Sequence, residues 1–271
     1  MNKTMGMLIV VGLCVLGAVS CGSDANPPQE PQPGEAVAPQ IPPQALQALF
    51  EAVERDPSDP EAHHRLALAL HRAGRREEAI GHFEVLVQLK PAGQHLVELG
   101  VAYASVSRLE DAEATLRKAL EETPGQPTIL HHLANLARSR GATADAIELY
   151  QQALSGDPGY FMARFHLAET ERQAQQFREA YRTYEKVLEL EPKNALELQT
   201  LHEAMFQLGS LDLQEGATER AVEFFEVLIE RVPEHPKAHR MLGEALMKLG
   251  RNEDAQAEFE AHRRLVTQSQ Q

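Results

Sequence analysis

The chain has 271 residues, 40 of them acidic and 26 basic, for a formal net charge of −14. So acidic a body argues against nucleic acid and against anionic lipid surfaces as partners of the whole surface. Its two cysteines, Cys14 and Cys21, are too few and too badly placed for a disulfide framework.

At the N-terminus, Lys3 is the one charge in residues 1–6, and residues 8–19 form an uncharged, mostly aliphatic run. That is the order of a signal peptide. Ala18, Val19 and Ser20 then lead directly into Cys21. The pattern resembles a bacterial lipobox. The resemblance implies removal of residues 1–20 and lipid attachment, typically palmitate, at Cys21. Two other readings stay open. Residues 4–23 are uncharged, and about 20 residues can span a bilayer as an uncleaved anchor helix, although Gly6, Gly12 and Gly17 weaken a permanent span. A cleaved, secreted form without lipid is the third. If the mature chain starts at Cys21, no thiol is left for disulfides, metal thiolates or nucleophilic catalysis. Gly22 rather than Asp follows Cys21. The inner-membrane retention signal of enteric bacteria is therefore missing, and in a cell with two membranes the expected address is the outer membrane, facing the periplasm.

Residues 21–43 form a proline-rich linker, with Pro27, Pro28, Pro31, Pro33, Pro39, Pro42 and Pro43. Such a segment cannot build a core and favours extended polyproline II geometry. At about 3.1 Å per residue it reaches at most about 70 Å, enough to hold a folded body away from a membrane.

Self-comparison organises the rest. The stretches GRREEA, SRLEDA, GATADA, QQFREA, GATERA and GRNEDA end on Ala79, Ala112, Ala146, Ala180, Ala221 and Ala255, spaced by 33, 34, 34, 41 and 34 residues. A period in this range marks a solenoid of stacked units. Aligned on these alanines, one position is always leucine: Leu66, Leu99, Leu133, Leu167, Leu208 and Leu242. The next is small: Ala67, Gly100, Ala134, Ala168, Gly209 and Gly243. Another is aromatic or leucine: Phe83, Leu116, Tyr150, Tyr184, Phe225 and Phe259. Pro91, Pro124, Pro158, Pro192 and Pro233 close five of the six units.

These residues resemble the tetratricopeptide repeat, a helix–turn–helix unit of about 34 residues. In its numbering they stand at positions 20, 7, 8, 24 and 32. The resemblance implies an all-α, right-handed solenoid over residues 44–267, with repeats near 60–92, 93–126, 127–160, 161–194, 195–235 and 236–267 and a short tail at 268–271. Gly or Ala at position 8 and Ala at position 20 let helix A cross helix B closely, and proline at position 32 stops helix B. Residues 44–55 match a lone helix B that caps the stack. The seven extra residues before the fifth unit amount to about two helical turns, so its helix A is predicted to start early, near Ala195. The last unit lacks the proline and is followed by no solvating helix, which leaves a C-terminal face partly uncovered.

Twelve histidines invite a metal test. Adjacent pairs such as His63–His64 and His131–His132 point about 100° apart on a helix and cannot chelate alone. His63 and His239 fall at position 4, normally an interior site. Only His131, His132 and His166, across the third and fourth units, form a grouping worth testing. No phosphate loop, nucleophile elbow or zinc-protease helix occurs, so neither cofactor, metal, catalytic residue nor small-molecule substrate is expected. The resemblance instead implies a concave groove lined by helix A at positions 2, 5, 6, 9, 12 and 13. On this chain the candidates are His131, Asn135, Met162, Phe165, Glu169, Phe206, Leu213 and Arg240. Either they grip an extended or helical peptide, or they pack against the neighbouring helix A. The clamp by which some family members hold chaperone tails is not present: Asn135 fits it, but His131 replaces its lysine.

The expected protein is therefore a membrane-tethered scaffold that binds a protein or peptide partner in the bacterial cell envelope. Six such repeats behind a lipidated cysteine also match the plan of type IV pilus pilotin lipoproteins, which implies help in assembling an envelope complex. A self-associating structural adaptor and a periplasmic metal-binding protein or enzyme are the alternatives.

Overall fold

The computed structural model describes residues 42–269. The lipid-attachment site Cys21, the signal segment and nearly all of the proline-rich linker lie outside the described residues. Among those described there are thirteen α-helices and no strand. A lone α1 (Pro43–Arg55) precedes six helix–turn–helix pairs. These are α2 (Pro60–Arg72) with α3 (Arg76–Leu89), α4 (Gly93–Ser105) with α5 (Leu109–Glu122), and α6 (Pro127–Ser139) with α7 (Thr143–Gly156). They continue with α8 (Phe161–Gln173) and α9 (Phe177–Leu188), α10 (Ala195–Glu215) and α11 (Thr218–Arg231), and α12 (Pro236–Lys248) and α13 (Asn252–Gln268). The fold is the all-α tetratricopeptide-repeat architecture that the 34-residue period implies.

The helix ends follow from local chemistry. Pro60, Pro127 and Pro236 open their helices at the first turn, where a missing N–H costs nothing. Asp59, Asn194 and His235 cap theirs through the side chain. Every helix A stops by the same device. The N–H two residues past the last turn bonds back across it, as in Arg75 N to Leu70 O (2.9 Å), Gln176 N to Glu171 O (2.9 Å) and Arg251 N to Leu246 O (2.9 Å). The residue between must be left-handed. Gly74, Gly141, Gly216 and Gly250 take it at φ 75–82°, while Ser107 and Gln175 are forced into it at φ 64° and 61°.

Within a pair, the two helices leave no room for a side chain at the crossing. A Cβ on Gly209 would sit 2.9 Å from the Phe225 ring, and one on Gly100 2.7 Å from Leu116 Cγ. The alanines at position 20 across from them are wholly buried. Phe83, Tyr150, Tyr184 and Phe225 fill the space beside the crossing, each at most 2% exposed. The core runs from pair to pair along the stack, since α3 packs on α4, α7 on α8, α9 on α10 and α11 on α12.

The seven extra residues before the fifth unit are absorbed as helix. α10 starts at Ala195 and is 21 residues long, against 13 for each other helix A. Its first turns carry Leu196 and Leu198, both exposed, and its register is restored by Leu201 and Ala204, which are buried. The two ends of the stack are thinner. α1 has no buried residue and leans Leu46, Leu49, Phe50 and Val53 on the first pair. In α13 only Ala255 is buried.

Gln175 is the non-glycine residue at a left-handed turn between α8 and α9. Relief of its strain outweighs the extra chain entropy of glycine, so Gln175→Gly is expected to stabilise the protein by about 0.5–1 kcal/mol. Thermal unfolding followed by circular dichroism checks this; a lower melting temperature would mean that the Gln175 side chain makes contacts worth more than the strain.

Candidate interaction surface

The helices A lie closer together than the helices B. α4 touches α6, α6 touches α8, α8 touches α10 and α10 touches α12, whereas no pair of helices B packs comparably. The stack is therefore tighter along its A side, and the A helices form its inner wall. Residues at position 5 of one helix meet position 6 of the next. His64 Nε2 lies 2.9 Å from Glu98 Oε2, and His131 Nε2 lies 3.0 Å from His166 Nδ1.

The candidates named from sequence fall into three settings on this wall. His131 and Leu213 are buried in the seams between helices. Met162, Phe165, Phe206, Asn135 and Glu169 are half-buried. Phe165 packs edge-on to Tyr184, with ring centroids 6.0 Å apart, and Phe206 stacks on His235 at 5.5 Å. Met162 Sδ is 3.9 Å from the Thr200 hydroxyl on α10. Asn135 Oδ1 accepts the Tyr150 hydroxyl at 2.5 Å. Glu169 accepts the Tyr184 hydroxyl and pairs with Arg172. Arg240 is exposed and paired with Glu244 at 2.5 Å. At the far end Met247 is 55% exposed on the same face.

The histidines form a polar seam. The Tyr160 hydroxyl meets His131 Nδ1 at 3.1 Å while His131 Nε2 faces His166 Nδ1. The Asn135 Nδ2 amide also faces His131 Nε2, at 3.4 Å, so each nitrogen of His131 has a neutral hydrogen-bonding partner. Burial, and then the neighbouring His166, push His131 down to about 3. Burial, and then the Arg138 charge, push His166 down to about 4. Among the described residues, no set of three His, Cys, Asp or Glu side chains is arranged to hold a metal ion. His63 and His239 are interior. Each donates from Nε2 to the carbonyl of the preceding inter-unit proline, His63 to Pro57 (3.1 Å) and His239 to Pro233 (2.9 Å).

Two buried acids were not singled out from sequence. Glu171 and Asp212 stand at position 11, where other units carry Leu70, Tyr103 and Leu246. Asp212 is fully buried, paired with Arg220 and accepting the Tyr181 hydroxyl at 3.2 Å. Burial and then the Asp212 charge raise the Tyr181 phenol. Glu171 is 5% exposed and leaves Oε2 without a hydrogen bond; burial raises its pKa. A charge at a position otherwise apolar was the signal that could have found both.

The charge of the wall is opposite to that of the chain. Its positions hold Arg65, Arg72, Arg138, Arg172, Lys237, Arg240 and Lys248 against Glu61, Glu98, Glu169, Glu203 and Glu244. Two of these carboxylates are paired with arginines of the same wall, Glu169 with Arg172 and Glu244 with Arg240, and Glu203 accepts from the Gln207 amide. Arg65, Arg72, Arg138, Lys237 and Lys248 form no salt bridge among the described residues, so basic groups are left over on the face of an acidic molecule.

Sequence models of the tetratricopeptide repeat match residues 42–94, 137–205 and 212–270, well over half of the chain. Among curated proteins, interferon-induced protein with tetratricopeptide repeats 3 of Mus musculus is 27% identical over 114 residues, and the match spans only 28% of that protein's length. A tetratricopeptide repeat protein from Parabacteroides merdae superposes with a TM-score of 0.57 at 21% identity, covering 79% of this chain and 78% of that one. YrrB, described as a TPR protein with an unusual peptide-binding site, gives 0.52 at 19% identity over 72% of this chain and 97% of its own. PilF of Pseudomonas aeruginosa gives 0.54 at 21% identity over 64% and 75%. At these identities the solved structures speak for the fold alone.

The histidine seam has a pH signature. Above about pH 6.5 both rings are neutral, folded or unfolded. Below it the unfolded chain takes up protons first, so stability is lost as pH falls toward the folded values of about 4 for His166 and about 3 for His131. His166→Gln is expected to make the fall in melting temperature across this window shallower. An unchanged slope would show that the pair does not titrate against folding.

Proposed function

The chain belongs to the tetratricopeptide repeat family, a family of protein-interaction scaffolds, and from that premise we propose that it is a lipid-anchored scaffold of the bacterial cell envelope whose inner wall receives a protein or peptide partner. The observation that carries this reading is the wall itself. Half-buried apolar side chains lie on it beside cations that nothing in the described stack neutralises, in a molecule that is otherwise strongly acidic. The wall presents apolar anchors and unspent hydrogen-bond donors together, the combination that peptide grooves use.

The tether rests on the N-terminal pattern: a basic start, an aliphatic run, small residues and Cys21, followed by a proline-rich spacer. Among the described residues no helix is long and apolar enough to cross a membrane. A lipid on Cys21 with a spacer of residues 22–43 would leave the wall free to meet partners at a distance from the bilayer. Assistance in assembling an envelope complex is the role that such an arrangement suits.

Two experiments test the two halves of the reading. A photo-crosslinking amino acid placed at Met247 on the wall is expected to trap a discrete partner in living cells, while the same group at Arg117, exposed on helix B of the second unit, is expected to trap none. Equal trapping at both positions, or none at Met247, would count against the wall. For the tether, Cys21→Ser is expected to release the protein from membranes and to abolish labelling by a fatty acid. Retention without label would favour an uncleaved anchor helix.

A further inference from the structure

On the B side of the stack, away from the inner wall, one junction is built unlike the others. α8 carries Arg164 at position 4, where other units carry Leu96, Leu130 and Met205 or the histidines His63 and His239. It also carries Glu171 at position 11. Both line a hollow of about 370 Å³ between α7, α8 and α9. Leu167 stands between them on the same face of α8, and Leu154 of α7 lines the hollow beside it. A hollow of about 410 Å³ occupies the same place between α11, α12 and α13, but there Leu242 and Leu246 form the floor. The space therefore belongs to the looser packing of the B side, and the charges on its floor belong to this junction.

Both charged groups of the floor are incomplete. Glu171 is 5% exposed, and its Oε2 is buried with no hydrogen-bond partner. Arg164 donates from Nη2 to the Pro158 carbonyl, but its Nε is buried and unbonded. The two do not pair with each other. They stand two helical turns apart, about 10 Å along the axis. The other charges of the hollow, Glu179, Arg182 and Lys186 on α9, are exposed and solvated, and form no salt bridge among the described residues. Water serves those three. A buried carboxylate with an open lone pair gains from a cation, and a buried guanidinium N–H gains from an anion.

Along α8 the floor runs base, aliphatic, acid; its complement runs acid, aliphatic, base. We propose that this hollow binds a basic amino acid with a free α-carboxylate, arginine or lysine, either as the free molecule or as the last residue of a polypeptide. The carboxylate meets Arg164, the methylene stem lies on Leu154 and Leu167, and the cation meets Glu171. Basic side chains pack their stems on apolar surface while the charged head finds its partner, and the flexible stem holds the two charges apart. The site shares no residue with the inner wall, so it goes beyond the reading of that wall and is tested separately from it.

Calorimetric titration of the full-length chain tests this. The probes are L-arginine, L-lysine, citrulline (the neutral isostere of arginine) and agmatine, which is arginine without its carboxylate. Arginine or lysine is expected to bind, and citrulline and agmatine to bind about tenfold or more weakly, because each loses one charge-assisted contact. Glu171→Gln is expected to erase the discrimination against citrulline and to keep that against agmatine. Arg164→Met is expected to do the reverse, with helicity unchanged in both variants. Two short peptides ending in arginine, one with a free terminus and one amidated, separate the sources. Binding of the free-terminus peptide and not the amidated one assigns a chain end; binding of the amino acid and neither peptide assigns the free molecule. Failure of arginine, lysine and the free-terminus peptide alike overturns the proposal, as does equal binding of citrulline and agmatine or binding indifferent to Glu171→Gln. Binding that emerges only in Lys186→Met would show that Lys186 already occupies the cation's place, and overturns it too.

Discussion

The structure depends on how closely helix A can approach helix B. At that crossing there is no space for a side chain larger than a methyl group, and at Gly100, Gly209 and Gly243 not even for that. Close approach lets the position-7 leucines and, in the first five units, the position-24 side chains bury on either side. It also leaves each pair with apolar faces that it cannot cover by itself, so each must lean on the next. The tight A side and the looser B side of the stack follow from the same packing, and the inner wall is its product. The wall was not added to the scaffold; it is the side on which the scaffold closes.

Onto this generic frame the chain writes junction-specific polar contacts. Asp212, Tyr181 and Arg220 tie α9, α10 and α11 together where the long helix is inserted. His131 and His166 join α6 to α8. His63 and His239 fasten their helices to the turns before them through Pro57 and Pro233. A leucine in one unit could stand in for a leucine in another, whereas the Asp212 and His131–His166 contacts each occur at one junction. They join particular neighbours at the expense of buried groups that must stay neutral or paired.

The repeat was plain in the sequence because its determinants are local. Alanine at position 20, a small residue at position 8 and proline at position 32 act within one unit, so their spacing is visible along the chain. The early start of α10 at Ala195 was legible for the same reason, since nothing in residues 195–209 breaks a helix and two turns preserve its face. The candidate site was less legible. Asn135, Phe165 and Phe206 were placed on the wall by their position numbers, but that His131 and Leu213 are sealed into seams depends on neighbours one unit away. His131 meets His166 across 35 residues and Tyr181 meets Asp212 across 31. Position numbers do not report which of two faces a large neighbour covers.

If stability flows through the seams between pairs, it must be graded along the stack. Amide hydrogen exchange, read helix by helix on the intact protein, measures this directly. Protection is expected to be highest in α6 to α9, which have partners on both sides, and to decline toward α1 and α13, which have a partner on one. Equal protection in every helix, or the greatest protection at either end, would contradict the account.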